Sequence, residues 1–369
     1  MKVLHVAETF KGGVATVLNS LAIYQLENDR VENVSVIIPD AHFSELSPEL
    51  KGSALLFKRR SRGIASLLNL AIVLYRQIKV YNPDIVHLHS TFAGLVGRIL
   101  IFLLFRKNDI KVIYCPHGFS FLMDSSKLKR IIYTECEKKL TKIVDKIICV
   151  GGNEFKEAEK AGIAQDKMVV INNGVAMPAV FNNIDCSNRD EYILLYVGRF
   201  DYQKGTDIFV DSLKILDEKK IDYKIKVIMV GESVNDSVNY QNVKYKNITI
   251  SYSGWVNKSK LADYYLTSSC IIIPSRWEGL AMVPLEAISY KLPTICSNIN
   301  AFEEINKISE LSFINGSIDS LVEILSNLNK YDLNSIKNNL YDKISTDYTQ
   351  SVMNDKTMLL YKEVLEGIK

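Results

Sequence analysis

Two positively charged side chains, Arg199 and Lys204, stand five residues apart in the segment YVGRFDYQKGTDIF. The apolar residues before Gly198 predict a β-strand, and those after Gly205 predict a helix, so both cations fall on a strand-to-helix loop. Guanidinium and ammonium groups placed in this way can grip a diphosphate and offset the negative charge that develops on a leaving group. The alternative is a pair of solvated cations on a turn.

Two carboxylates, Glu278 and Glu286, occur in the segment RWEGLAMVPLEA. A predicted strand ends at Pro274 and a predicted helix begins near Val283, which puts Glu278 in the loop and Glu286 in the first helical turn. Free N–H groups at the start of a helix attract phosphate, and Gly279 would let the backbone approach it closely. The alternative for Glu286 is that it only complements the helix dipole.

Glycine and histidine occupy comparable positions nearer the N-terminus. Gly12 and Gly13 lie between the first predicted strand and the first predicted helix, where a ligand phosphate or sugar could touch the backbone. The alternative is a plain tight turn. His117 lies before Gly118 at the carboxyl end of a predicted strand, which is the edge of a parallel sheet where ligands bind. A lone buried histidine is more often structural, but this position favours a functional one.

Strand-like apolar runs alternate with helix-length stretches along the whole chain, which predicts parallel sheets covered by helices on both faces. The polar stretch NNIDCSNRDE, residues 182–191, interrupts this alternation and predicts a linker. We therefore expect an α/β fold of two doubly wound Rossmann-like domains facing a central cleft. The expected domains are residues 1–183, with a returning C-terminal helix at 351–369, and residues 190–350.

Together these segments resemble the retaining glycosyltransferases of family 4, which have the GT-B fold, and in particular those of the bacterial surface-polysaccharide type. The resemblance covers nearly the full chain. It is strongest where VGRFDYQKGTDIFVDSL resembles the family's donor-diphosphate loop and RWEGLAMVPLEA resembles its E-x7-E motif. It implies transfer of a hexosyl or N-acetylhexosaminyl group from a nucleotide-sugar, most commonly a UDP-sugar, to a glycan or lipid-linked glycan in O-antigen or capsule synthesis.

The resemblance also implies roles for individual residues. Arg199 and Lys204 would hold the donor diphosphate, and Glu286 would accept hydrogen bonds from the ribose. Glu278 would lie against the donor sugar, and His117 near the reacting sugar. The implied catalytic set is Glu278, His117, Arg199 and Lys204. The implied donor-binding set is Gly12, Gly13, Gly198, Arg199, Lys204, Gly279, Leu280, Ala281, Met282, Val283 and Glu286. Ala281 departs from the glycine that many members have there.

Several absences narrow the function. No D-x-D sequence occurs, so the usual carboxylate pair for a nucleotide-bound Mg²⁺ is missing, and we expect neither a metal nor a cofactor. The missing G-x-G-x-x-G fingerprint disfavours a nicotinamide dehydrogenase. Two rival functions stay open: a sugar-nucleotide epimerase of the same fold, and a catalytically silent carbohydrate-binding protein.

Cysteine usage and hydropathy indicate the compartment. Six cysteines without a C-x-x-C pair, mostly inside apolar runs, predict reduced thiols in a cytoplasmic protein. The apolar stretches are shorter than a membrane span, and the N-terminus does not read as a signal peptide.

The charge is distributed unevenly along the chain. Residues 1–150 hold 21 Lys+Arg and 13 Asp+Glu, whereas the remainder holds 24 and 29. Basic residues at 58, 59, 60 and 62 precede an apolar helix, and a second group begins at Lys127. This pattern predicts peripheral attachment to the anionic inner face of the plasma membrane and a lipid-linked acceptor. The alternative is a solvated loop and a soluble acceptor. No nucleic acid partner is expected.

Overall fold

The structure is a computed structural model, and it describes residues 1–60, 63–106, 108–123, 126–186, 190–233, 245–278 and 282–367. The described residues form thirteen strands and twelve α-helices. The strands are β1 (Lys2–Ala7), β2 (Asn33–Pro39), β3 (Ala54–Phe57), β4 (Ile85–His89), β5 (Lys111–Cys115), β6 (Lys146–Cys149), β7 (Met168–Val170), β8 (Glu191–Val197), β9 (Lys224–Val230), β10 (Ile248–Gly254), β11 (Cys270–Ile273), β12 (Thr294–Ser297) and β13 (Ser312–Phe313). The helices are α1 (Gly13–Leu26), α2 (Ile64–Tyr81), α3 (Thr91–Leu104), α4 (Lys127–Thr141), α5 (Gly152–Lys160), α6 (Thr206–Glu218), α7 (Lys258–Thr267), α8 (Met282–Ser289), α9 (Glu303–Asn306), α10 (Ile318–Leu325), α11 (Leu333–Asp347) and α12 (Gln350–Glu366).

The chain divides into two compact units. The first comprises Met1–Gly174 and Gln350–Lys369, and the second comprises Val175–Thr349. The division falls before the polar stretch at 182–191. The start of that stretch is held in the second unit, because the Asn182 side-chain amide donates hydrogen bonds to the backbone oxygens of Tyr265 and Ser268.

The first unit is built on a parallel sheet with the strand order β3-β2-β1-β4-β5-β6-β7. Both faces of this sheet are buried. In β2, Ile37 packs in the core cluster that includes α2, whereas Val36 and Ile38 pack in the cluster that includes α1. Such burial explains why these strands read as continuous apolar runs. The sequence did not predict β3, because this edge strand has only four residues and is partly exposed.

The second unit is built on a parallel sheet with the order β10-β9-β8-β11-β12-β13. The strand order reverses between β8 and β11, which pair directly, with Leu194 opposite Cys270 and Leu195 opposite Ile271. In the first unit the order reverses between β1 and β4. Sheets of this kind bind ligands outside the carboxyl ends of the strands at the reversal. The predicted fold class of two parallel, doubly wound α/β domains is confirmed.

Helix α2 runs over Ile64–Tyr81. Among the described residues it is the one helix long and apolar enough to cross a membrane, by length and composition alone. Its residues Leu70, Leu74 and Ile78 are nevertheless buried in the core of the first unit, where they pack against one face of the sheet. The share of this helix that is buried inside the first unit is 22%.

Candidate active site

The loop between β8 and α6 carries both predicted cations. Arg199 follows Gly198. The backbone oxygen of Arg199 accepts a hydrogen bond of 3.0 Å from the Tyr196 hydroxyl. The Arg199 guanidinium donates to Gln203 Oε1 at 2.9 Å and lies 3.1 Å from Asp201 Oδ2, with 43% of the side chain exposed. The other Asp201 oxygen accepts from the Lys204 backbone N–H at 2.8 Å. Asp201 therefore shapes the turn and places the Arg199 cation at its surface.

Lys204 and Glu278 contact each other directly. Lys204 Nζ donates to Glu278 Oε1 at 2.6 Å, and the side chains are 22% and 7% exposed. The Ser275 hydroxyl donates to the same oxygen at 2.7 Å, and the Ser275 backbone oxygen accepts from Ser297 Oγ at 2.6 Å. The Glu278 carboxylate is thus held by a cation and a hydroxyl within a largely buried setting, where an ion pair is screened less than at the surface.

The loops after β8 and β11 pack against each other because their strands are neighbours. The Arg276 backbone N–H donates to the Gln203 oxygen at 2.8 Å, and Gln203 Nε2 donates to the Trp277 oxygen at 3.2 Å. Gly205 has a left-handed φ of 65°, and a Cβ built there would lie 1.9 Å from the Pro274 backbone oxygen. Only glycine fits this close approach. The packing brings Lys204 within reach of Glu278.

Arg276, to which the sequence assigned no role, braces the same loops. Its guanidinium donates to both carboxylate oxygens of Asp207 at 2.7 and 2.6 Å and lies 3.7 Å from the centre of the Tyr202 ring. Asp207 lies in the first turn of α6. Two parallel hydrogen bonds from one guanidinium to one carboxylate fix the relative orientation of the two groups and also pair their charges. The spacing of these residues in the sequence gave no signal that they meet.

Glu286 lies in the second turn of α8, because the helix already includes Met282 and Val283. The prediction that it lies in the first turn was therefore wrong. Its Oε2 accepts a hydrogen bond of 3.3 Å from the Tyr265 hydroxyl. Burial raises the pKa of Glu286, and Lys258 and the Tyr265 hydrogen bond oppose that rise. The candidate donor-binding residues Gly279, Leu280 and Ala281 lie outside the described residues.

In the first unit, Gly12 precedes α1 with a left-handed φ of 56°, and no atom in the described part of the chain lies within 4 Å of a Cβ built there. Gly13 is the first residue of α1. The preceding loop is anchored by Glu8, whose Oε1 accepts from Arg59 Nε at 2.8 Å, with side chains 2% and 15% exposed. Arg59 was predicted to belong to a membrane-facing basic run, but its side chain is engaged in this ion pair. Arg62 of that run lies outside the described residues.

His117 is buried at the carboxyl end of β5, with a left-handed φ of 53° that is uncommon for a residue other than glycine. Glu154, in the first turn of α5, holds the following backbone. It accepts from the N–H groups of Gly118 and Phe119 at 2.9 and 3.1 Å, and from Val150 at 2.7 Å. Burial raises the pKa of Glu154 to about 7, against the three hydrogen bonds. The sequence analysis did not identify Glu154, because a single glutamate at a helix start carries no distinguishing pattern.

Three buried histidines, His5, His87 and His89, are close enough to one another to reach a single metal ion, with ligand atoms within 4.8 Å. Hydrogen bonds already occupy five of their six ring nitrogens. His5 bonds to Gln25 and His89, His89 also bonds to His117, and His87 bonds to Tyr361. This arrangement is that of a hydrogen-bonded imidazole cluster, since a metal at this place would break the His5–His89 bond.

Comparison with known families gives matches in both parts of the chain. The family model described as Glycosyltransferase Family 4 matches residues 11–177, and that described as Glycosyl transferases group 1 matches residues 182–340. An uncharacterized 41.2 kDa protein in the cps region of Klebsiella pneumoniae is 37% identical over 313 residues, which cover 83% of each chain. The Escherichia coli UDP-Gal:alpha-D-GlcNAc-diphosphoundecaprenol alpha-1,3-galactosyltransferase is 30% identical over 315 residues, which cover 77% of this chain and 79% of that protein.

Solved structures show the same fold. Anabaena Alr3699/HepE, in complex with UDP and glucose, superposes with a TM-score of 0.77 at 17% sequence identity, covering 98% of this chain and 100% of that one. At this identity the likeness shows the fold alone, whereas the sequence matches over both halves show the family. The chain therefore belongs to the glycosyltransferases of family 4, of the surface-polysaccharide type.

Proposed function

We propose that this glycosyltransferase transfers a sugar from a UDP-sugar to a lipid-linked glycan, retains the anomeric configuration of the donor and needs no metal. The observation that carries the proposal is the Lys204–Glu278 ion pair, which lies where the strand order reverses and shares a loop with Arg199. The UDP complex of the Anabaena structure and the UDP-Gal donor named for the Escherichia coli relative support the choice of nucleotide.

The leaving group of this reaction is a nucleotide diphosphate, whose negative charge grows in the transition state. Arg199 offers a partly exposed guanidinium, and Lys204 offers an ammonium group. An ammonium carries three N–H donors, so Lys204 can hold Glu278 and a phosphate oxygen at the same time. Two fixed cations supply the charge stabilisation that a Mg²⁺ ion supplies in other transferases.

Glu278 acts on the donor sugar in this proposal. Its Oε1 already accepts hydrogen bonds from Lys204 and Ser275, which fix its position and reduce its reactivity as a nucleophile. A carboxylate held in this way suits the orientation of a sugar and the stabilisation of positive charge on its anomeric carbon. We therefore favour attack by the acceptor on the face that the leaving phosphate occupies, with Glu278 as an orienting group. Glu286 accepts the ribose hydroxyls.

The acceptor side of the proposal rests on α4. Its first turns expose three cations, Lys127, Lys129 and Arg130, and three apolar side chains, Leu128, Ile131 and Ile132. Helix α2 of the same unit exposes further apolar side chains, with Ile64 78% and Leu68 59% exposed. Cations interleaved with exposed apolar groups are typical of a surface that rests in the headgroup region of an anionic bilayer.

The names of relatives support a membrane-linked acceptor. The acceptor in the name of the Escherichia coli relative is a diphosphoundecaprenol-linked sugar. Other matching relatives are named for O-antigen and capsular polysaccharide biosynthesis. We place the protein at the inner face of the plasma membrane, in O-antigen or capsule synthesis.

The test is to incubate the protein with UDP-sugars and lipid-linked acceptors and to measure released UDP, with and without EDTA. We expect release only with acceptor, undiminished by EDTA, and a product of the same anomeric configuration as the donor by NMR. Conversion of the UDP-sugar without acceptor would identify an epimerase instead. Loss of activity in EDTA that Mn²⁺ restores would contradict metal independence, and an inverted product would contradict retention.

A further inference from the structure

A continuous chain of hydrogen bonds runs through the interior of the first unit and ends at His117. Gln25 Oε1 lies 2.7 Å from His5 Nε2, His5 Nδ1 lies 3.0 Å from His89 Nε2, and His89 Nδ1 lies 2.9 Å from His117 Nε2. All four side chains are buried. The chain therefore crosses from α1 through β1 and β4 to the loop after β5, at the carboxyl edge of the sheet.

The sheet register brings these histidines together. β1 and β4 are parallel neighbours in which His5 stands opposite His87, and Ala7 stands opposite His89. Side chains alternate along a strand, so His5, His87 and His89 project to one face. Their neighbours Leu4 and Val6 pack in the core cluster of the other face. The cluster thus lies on the α1 side of the sheet, where Gln25 ends the chain.

The three imidazoles in this chain of hydrogen bonds, those of His5, His89 and His117, are neutral. Burial lowers the pKa of His5 and of His117 to about 4, and it lowers the pKa of His89 well below the usual histidine range. A neutral imidazole has one N–H donor and one lone-pair acceptor. Each hydrogen bond in the chain therefore fixes the tautomer of the next ring.

The direction of the chain is set at Gln25. An amide oxygen only accepts, so His5 carries its proton on Nε2 and presents the lone pair of Nδ1 to His89. His89 must then carry its proton on Nε2 and present Nδ1 to His117. His117 in turn carries its proton on Nε2, which leaves a lone pair on Nδ1.

His117 Nδ1 is the end of this hydrogen-bonded chain, and it is buried without a hydrogen-bond partner among the residues that the structure describes. The backbone that presents it is held by Glu154, through the N–H groups of Gly118 and Phe119. His117 also lines a small cavity of about 20 Å³ together with His87 and His89. A buried acceptor without a partner is costly, which indicates that a ligand group or a water supplies one.

We propose that Gln25, His5 and His89 are positioning residues that lock His117 in the Nε2–H tautomer, so that its Nδ1 accepts a hydrogen bond from a hydroxyl of the transferred sugar or of the acceptor. The substrate part of this inference rests on the proposed function, whereas the tautomer does not. In the opposite tautomer His117 Nδ1 would carry the proton. The substrate hydroxyl would then have to accept a hydrogen bond from His117 instead of donating one to it.

The first test is NMR of the substrate-free protein with ¹⁵N-labelled histidine. The whole protein has five histidines, and ring ¹⁵N shifts distinguish a protonated from an unprotonated nitrogen. The tautomer of each histidine can therefore be read. We expect His5, His89 and His117 all in the Nε2–H form at neutral pH. A His117 signal in the Nδ1–H form, or a positively charged ring in the chain, would overturn the proposal without any measurement of activity.

The second test changes the anchor. Gln25→Met keeps the volume but removes the accepting oxygen, whereas Gln25→Glu keeps an oxygen at the same place. We expect Gln25→Met to give two His117 tautomers and a turnover about two- to tenfold lower, since only part of the molecules then presents the lone pair. Gln25→Glu is expected to retain the single His117 tautomer.

The outcomes separate the two parts of the inference. An unchanged His117 tautomer in Gln25→Met would show that the chain does not set it. A mixed tautomer with unchanged turnover would show that His117 Nδ1 does not contact substrate. Thermal melting checks that both variants fold, and the wild-type spectrum tests the chain if either does not.

Discussion

At the level of single residues, the charge of Lys204 serves two partners in our proposal, the Glu278 carboxylate and the donor diphosphate. We expect Lys204→Ala and Arg199→Ala each to lower turnover by about 10²-fold or more, the effect of removing a few kcal/mol of transition-state charge stabilisation. The measurement is steady-state kinetics with a UDP-sugar and a lipid-linked acceptor.

A matched control lies on the helix that follows. Lys214 in α6 is half exposed and pairs with Asp211 at 2.7 Å, and surface pairs of this kind contribute less than about 1 kcal/mol. Lys214→Ala should leave turnover unchanged. Near-normal kinetics in both Lys204→Ala and Arg199→Ala would remove these two residues from the diphosphate site.

Glu286 leads to a pH-dependent prediction. A carboxylate accepts hydrogen bonds from two ribose hydroxyls, and a protonated carboxyl does so poorly. Because burial raises the pKa of Glu286, protonation as the pH falls begins above the ordinary glutamate range. We expect the donor KM to rise as the pH is lowered from about 8 to about 4, with little change in turnover.

The Glu286→Gln variant isolates that effect, because an amide does not titrate. Its donor KM should be higher than that of the wild type at neutral pH and should vary little with pH. If the wild-type KM is equally flat over this range, Glu286 does not bind the ribose in its charged form.

At the level of elements, the loops after β8 and β11 form one packed unit, and Gly205 is where they come closest. An added methyl group would lie 1.9 Å from the Pro274 oxygen, in a residue with a φ of 65°. We expect Gly205→Ala to lower the free energy of unfolding by about 3 to 5 kcal/mol and to reduce activity strongly, because the loops must separate.

Gly316 is the matched control for backbone strain. It also has a left-handed φ, of 80°, but no atom of the described residues lies within 4 Å of a Cβ built there. Gly316→Ala should therefore cost only about 1 kcal/mol. Equal losses in the two variants, measured by urea unfolding, would mean that strain and not loop packing explains the role of Gly205.

At the level of the whole molecule, the excess of cations in residues 1–150 predicts salt-sensitive binding to anionic vesicles. We propose the start of α4 as the contact and not the run at 58–62, because Arg59 is paired with Glu8. We expect Lys127, Lys129 and Arg130, replaced together by Glu, to weaken vesicle binding by about 10²-fold or more, at about 1 kcal/mol for each cation. Co-sedimentation at low salt measures this.

The control carries the same change of charge in the second unit. Lys219, Lys220 and Lys246 are exposed, and their replacement by Glu should leave vesicle binding nearly unchanged. Equal loss in both triple variants would point to net charge instead of a docking surface. Equal binding of the wild type to neutral and anionic vesicles would rule out an electrostatic contact.

The sequence by itself determined the fold class and most of the elements. Strand β11 ends at Ile273, one residue before the predicted end at Pro274, because buried parallel strands are continuous apolar runs that are visible in the sequence. The sequence also indicated Arg199, Lys204, Glu278 and Glu286 as candidates, since strand-to-helix loops carry the ligand contacts of such sheets. These four residues lie in the part of the chain, residues 182–340, that one of the family models matches.

Only the tertiary structure decided which of these residues meet. Lys204 and Glu278 are 74 positions apart in the chain, and the ion pair exists because β8 and β11 are neighbours and Gly205 lets their loops touch. The pairing of Arg59 with Glu8 and the chain from Gln25 to His117 arise in the same way. Strand order and register set these contacts, and periodicity along one strand carries no information about which strand will lie beside it.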